Sequence, residues 1–158
     1  MRLHLVFVGK TGFPDLDSSI RRYMDRLAHY IPTEIHLVKA EKIASASGIV
    51  EDTVREREGE RILKLPGKQD HVVAWDQRGR QIDSAALARF LEDLMNKGIS
   101  HLWMVIGGPL GISPKVIERA DSLLSLSRMT FPHDLARLMV GEQLYRAFTI
   151  LKGEPYHK

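Results

Sequence analysis

Leu102-Trp103-Met104-Val105-Ile106-Gly107-Gly108-Pro109-Leu110-Gly111-Ile112-Ser113-Pro114 is the stretch whose reading decides the fold. Its first five residues form an apolar run of the length expected for a strand buried on both faces, as in a parallel sheet. Two glycines, a proline and a third glycine then break the run. Ser113 and Pro114 read as the N-cap and first position of a helix. In open α/β sheets, a loop at the carboxyl end of a parallel strand is the usual place for a ligand. The spacing Gly107-Gly108-x-x-Gly111 is not the dinucleotide fingerprint, and no Lys-Ser or Lys-Thr pair makes it a phosphate loop of the Walker type. Taken alone, the segment fits either a small-molecule site or a tight strand-to-helix turn without a ligand.

Outward from this loop, strands and helices alternate. Strand patterns cover residues 2–9, 33–39, 71–75 and 102–106, with a last short strand around 126–131. Helical patterns cover 15–31, 50–65, a segment capped by Asp83 or Ser84 and stopped by Gly98, a segment from Pro114 through Leu124, and one from Asp134 or Leu135 to about Leu151. Residues 76–80 read as a turn and Glu41 to Gly48 as a mobile loop. The charged 50–65 helix carries only Val50, Val54, Ile62 and Leu65 as an apolar set, and its many Arg and Glu residues read as a solvated face with internal ion pairs, or as a contact to a phosphate backbone. These elements predict one α/β domain, residues 1–158, with a mainly parallel sheet of five to six strands.

Bulk composition narrows the function. The chain has 158 residues, 44% of them apolar, no cysteine and a formal charge of +3. It can bury a core without disulfides, and it offers neither a thiolate nucleophile nor a cysteine zinc site. No metal-ligand cluster stands out, so no metal is expected. There is no membrane-spanning run and no signal-peptide layout, which predicts a cytoplasmic protein. The positive charge permits a nucleic-acid partner without requiring one.

Two features near the carboxyl end call for explanation. The 135–151 helix is apolar around nearly its whole circumference, so it must be buried on all sides. A subunit interface or a central core position would each satisfy that. Just before it stands Thr130-Phe131-Pro132-His133-Asp134, and the helix then presents Arg137, Glu142, Tyr145 and Arg146. Glu142 and Arg146 have the spacing of an ordinary helix ion pair. Singly, His133 and Arg137 are equally compatible with structural roles.

Taken together, Val105-Ile106-Gly107-Gly108-Pro109-x-Gly111-x-Ser113 and Phe131-Pro132-His133-x-Leu135-x-Arg137-x-x-x-x-Glu142-Gln143-Leu144-Tyr145-Arg146-Ala147 resemble the bacterial large-subunit rRNA methyltransferases that methylate N3 of a pseudouridine. That family lies within the knotted SPOUT superfamily. The first strand and the tail Pro155-Tyr156-His157-Lys158 extend the resemblance over the whole chain. It implies a carboxyl-terminal trefoil knot, S-adenosylmethionine as cofactor, a homodimer, and 23S rRNA of the large subunit or assembled ribosome as substrate, with no DNA and no membrane partner. The cofactor residues it implies are Trp75, Gly108, Ser127, Arg128, Met129, Thr130, Phe131 and Pro132; the catalytic residues are His133, Arg137, Tyr156 and His157. The chain departs from the pattern at Trp75, Leu110 and Asp134, which bears on the fine shape of the pocket. The competing readings are a non-catalytic, ribosome-associated RNA-binding dimer and a doubly wound nucleotide-binding enzyme, the latter weakened by the missing fingerprints.

Overall fold

The computed structural model describes residues 1–42 and 48–157, so most of the segment expected as a mobile loop, and the final Lys158, lie outside the described residues. The order of elements is β1 (Arg2–Val8), α1 (Pro14–Ala28), β2 (Thr33–Val38), α2 (Gly48–Leu63), β3 (His71–Gln81), α3 (Ser84–Asn96), β4 (His101–Ile106), α4 (Pro114–Arg119), β5 (Ser122–Ser125) and α5 (His133–Leu151). The five strands form one sheet in the order β2-β1-β4-β3-β5, and every pairing is parallel. β1 and β4 lie inside the sheet and are apolar on both faces, as their continuous runs require.

Strand alternation divides the core into two layers. Leu3, Leu5, Phe7, Met104 and Ile106 point to one face, where they meet Leu27 of α1, Leu91 of α3 and Leu144 of α5. Val6, Val8, Trp103 and Val105 point to the other, against Ile62 of α2 and Val116 of α4.

The structure corrects three expectations. α4 stops at Arg119, and Leu123 and Leu124 belong to β5 instead of a helix. Ala120 turns extended, and the backbone N–H of Asp121 donates to the Val72 carbonyl, which captures the chain for the sheet. Residues 126–131 are consequently a loop, and the sheet has five strands. The expected turn at 76–80 is an irregularity inside β3, because Trp75 and Arg80 both pair with Leu124. A Cβ on Gly79 would lie 2.5 Å from the Leu124 backbone, so only glycine fits this crossing. On α2, Val54 and Ile62 of the apolar set are buried as expected, but Glu58, one of the charges read as a solvated face, is buried with them.

α5 takes a central position within the chain. It packs beside both α1 and α3, with Val140, Leu144, Ala147 and Phe148 in the core of the chain itself. A Cβ at Gly141 would come within 2.9 Å of Met24 Cε, so this glycine permits close contact with α1. Its all-round apolar character is largely satisfied within one chain.

Candidate active site

Loops leaving the carboxyl ends of β4 and β5, with the irregular part of β3 between them, enclose a cleft of about 330 Å³. That size falls within the range of small-molecule sites. The loop after β4 supplies Gly107 to Ile112, the irregular part of β3 supplies Asp76 and Gln77, and the loop after β5 supplies Ser125 to Ser127, Met129 to Phe131, and His133. The floor is apolar, formed by Trp75, Ile106, Ile112 and Leu126.

Each loop has a local cause. In the first, the Gly111 N–H donates to the Gly108 carbonyl at 2.9 Å, which closes a turn over Pro109 and Leu110. Gly111 has φ +85°, a conformation that glycine adopts without penalty. A Cβ on Gly107 would lie 2.8 Å from the Gly111 backbone. At Gly108 a Cβ would point towards Val8, 3.1 Å away, and Glu58. The need for glycine at 108 therefore comes from packing on β1 and α2. In the irregular part of β3, the Asp76 carboxylate accepts from the Arg78 side chain at 2.7 Å and from its backbone N–H at 3.0 Å. The Arg78 hydrogen bond holds the Asp76 carboxyl below the usual carboxylate range against the opposing effect of burial. In the loop after β5, Ser125 Oγ donates to the Ser127 carbonyl, and Ser127 Oγ accepts from the Met129 N–H. These bonds hold the loop while Met129, 72% exposed, stands at the rim.

Behind the cleft lies a buried ion pair. Arg137 has no exposed surface, and its guanidinium donates to Asp134 Oδ1 at 2.9 Å, to Thr11 Oγ1 at 3.2 Å and to the Val8 carbonyl. It also lies 5.0 Å from the centre of the Phe7 ring. Asp134 Oδ2 accepts from the Gly12 N–H at 2.7 Å. His133 Nε2 stands 3.2 Å from Asp134 Oδ1. Desolvation lowers the His133 pKa; Asp134 raises it and Arg137 lowers it further. The net effect favours the neutral imidazole, whose Nε2 faces the carboxylate.

Of the residues expected for the site, Trp75, Gly108, Ser127, Met129, Thr130, Phe131 and His133 line the cleft. Arg128 and Pro132 belong to the same loop but are not among the lining residues, and Arg137 lies beneath the wall. Tyr156 and His157 are brought elsewhere. Tyr156 donates to Glu142 Oε1 at 3.2 Å, packs edge-on to Tyr145, and lies under the Arg146 guanidinium. Burial raises its pKa, and Tyr23 and Glu142 raise it further. His157 Nδ1 is 3.5 Å from Arg146. Glu142 and Arg146 form the expected i,i+4 pair. Asp76, Gln77, Ser125, Leu126 and Ala136 line the cleft without having been expected there, the first two because they follow what looks like a completed strand. The Gly79 crossing was the available signal.

Among the described residues, no helix is long and apolar enough to cross a membrane. A family model described as "Predicted SPOUT methyltransferase" matches residues 1–157. The chain is 59% identical over 159 residues to the ribosomal RNA large subunit methyltransferase H of Syntrophobacter fumaroxidans, with all of both chains covered. It is 45% identical to the protein of the same name from Christiangramia forsetii, covering 99% of each. In fold it is similar to a probable methyltransferase from Bordetella pertussis, with TM-score 0.59, 12% identity, and coverage of 93% of this chain and 96% of that one. A probable methylase family protein from Haemophilus influenzae gives TM-score 0.57 at 15% identity, over 99% of this chain and 70% of that one.

Proposed function

The chain belongs to the SPOUT methyltransferase family, and on that premise we propose that it methylates N3 of a pseudouridine in 23S rRNA, using S-adenosylmethionine. The observation that carries this reading is full-length identity of 59% to a protein named for rRNA methylation, together with a formed cleft at the carboxyl ends of β3, β4 and β5. The cofactor fits that cleft in character. An apolar floor suits a purine, and exposed loop backbone and the Asp76 carboxylate suit polar groups. Trp75, Gly108, Ser127 to Pro132 and the newly placed Asp76 and Gln77 would hold it. When bound, S-adenosylmethionine supplies a methyl group already activated on sulfonium, so the chain has mainly to align donor and acceptor.

The acceptor nitrogen must lose its imide proton. We assign that proton to His133 Nδ1, because Asp134 occupies the other ring nitrogen and burial keeps the ring neutral at working pH. Arg137 then acts as a positioning residue. Its guanidinium fixes Asp134, which orients His133 and, through Gly12, ties down the loop after β1. Nothing in this chemistry calls on a metal.

A homodimer and the trefoil knot belong to the same reading. Phe13 and Met129, both strongly exposed, leave apolar surface at the carboxyl end of the sheet. Tyr156 and His157 pack on the middle of α5, away from the cleft of their own chain, which supports service to the partner's site. The alternative of a non-catalytic RNA-binding dimer leaves the formed cleft and the oriented His133 without a use. Incubating methyl-labelled S-adenosylmethionine with ribosomes from a strain lacking this activity tests the proposal. One methyl group per 23S rRNA is expected, and none with His133→Gln.

A further inference from the structure

At the other end of the sheet, His4 meets two side chains about thirty positions away in the sequence, Glu34 and His36. His4 of β1 pairs with Glu34 of β2 in the strand register, and His36 follows two residues later on the same face. His4 Nδ1 lies 2.9 Å from His36 Nε2 and 3.8 Å from Glu34 Oε2, and His36 Nε2 is 3.7 Å from the same oxygen. Local spacing in the sequence shows no metal-ligand cluster; parallel pairing of β1 with β2 brings His4 to residues about thirty positions away.

We propose that His4, Glu34 and His36 form a binding site for a divalent transition metal of the zinc type, separate from the methyl-transfer cleft. The three ligand atoms mark a triangle with sides of 2.9, 3.8 and 3.7 Å. Its centre is about 2.0 Å from each corner, the distance of Zn–N and Zn–O bonds. Two imidazoles and one carboxylate are a known zinc donor set, with a fourth position left for water or another ligand.

The surroundings orient these donors. His4 Nε2 is 2.9 Å from His101 Nδ1, so a proton held on Nε2 leaves the Nδ1 lone pair facing the other two donors. Trp103 stacks on the His4 ring, 4.1 Å between centres and 12° from parallel, and is itself fixed by donating to Asp70 at 2.8 Å. Glu34 Oε1 is occupied by Arg2, which leaves Oε2 for the metal. The Arg2 charge opposes a cation, and the Asp70 carboxylate partly offsets it. Entry is open, because β2 is the edge strand and the side chains of His36 and Glu34 are 27% and 44% exposed. In the metal-free protein the His4–His36 hydrogen bond occupies this space; binding replaces it, with His36 carrying its proton on Nδ1.

The test is calorimetric titration of the full-length protein with Zn²⁺, paired with Co²⁺ absorption to report coordination geometry. One equivalent should bind, Co²⁺ should give the intense visible bands of a four-coordinate site, and Zn²⁺ should raise the melting temperature. His36→Gln and Glu34→Gln, both at the solvent edge, should each weaken binding by at least about tenfold and abolish the thermal shift. Their melting temperatures without metal should match the wild type, and methyl transfer should be unchanged. Failure to bind a stoichiometric equivalent would overturn the site and leave a hydrogen-bonded histidine chain. Undiminished binding in the double variant would also overturn it, by moving the metal to other histidines.

Discussion

The two ends of the parallel sheet are built in different ways. At the carboxyl end, each wall of the cleft is a short contiguous segment: Gly107 to Ile112, Asp76 with Gln77, and Ser125 to His133. At the amino end, the histidine cluster takes one residue from β1, two from β2 and one from β4, and only strand register joins them. Segments of the first kind can be read from a sequence; assemblies of the second kind wait for topology. The carboxyl end also gathers strand-to-helix loops whose backbone is free to meet a ligand, whereas the amino end offers side chains alone.

Substitutions can separate the roles of the two ends. The largest effect is expected at Arg137→Leu, which leaves Asp134 buried without its charged partner. Loss of about 3–5 kcal/mol in denaturant unfolding is predicted, compared with almost none for His36→Gln at the opposite end. Next comes His133→Gln, which should fold normally and bind cofactor, yet lower single-turnover methylation at least about 100-fold, or about 2.7 kcal/mol. A fall in cofactor affinity of the same size would instead make His133 a binding residue. Removing residues 155–158 should cost about tenfold in turnover, about 1.4 kcal/mol, with little change in cofactor affinity. Mixed dimers of a tail-less subunit with a His133→Gln subunit would show which site each tail serves.

The smallest effect is a pH dependence in which both ends take part. Burial lowers the pKa of His4, His71 and His133 in the folded chain. The unfolded chain therefore binds these protons more readily. The stability they contribute is fully present above the unfolded value of about 6.5 and is lost as pH falls through the lower folded values. Urea midpoints should decline below that point. Replacing His4 by Gln should flatten the stability profile but leave the pH profile of methylation in place, since only His133 belongs to the cleft.

Much of the fold was legible because β1 and β4 carry unbroken apolar runs and the helices carry clear caps, with Asp83 and Ser113 bonding as their positions suggest. The β5 region was misread since Leu123 and Leu124 continue the helical spacing of Val116 and Ile117, and only pairing with β3 draws them into the sheet. For α5, all-round apolarity correctly signalled burial, but whether neighbours come from the same chain is a matter of packing. Leu144 and Phe148 lie in the core of the chain itself, so charges there would unfold it before they could report on a dimer. Gly108 stands out in the sequence as part of the loop, but the packing of its Cα side against Val8 and Glu58 follows only from the fold. The burial of Arg137 had no local signature, because its partners Val8 and Thr11 lie more than a hundred residues away.

The central claim is that the carboxyl-end cleft delivers a methyl group to the base nitrogen of a pseudouridine in 23S rRNA. The direct measurement is mass spectrometry of nuclease fragments from ribosomes treated with wild-type or His133→Gln protein and isotope-labelled S-adenosylmethionine. The account predicts a single labelled methyl on N3 of one pseudouridine, present with the wild type and absent with the variant. Label on a ribose oxygen, on another base, or at equal yield with His133→Gln would contradict it.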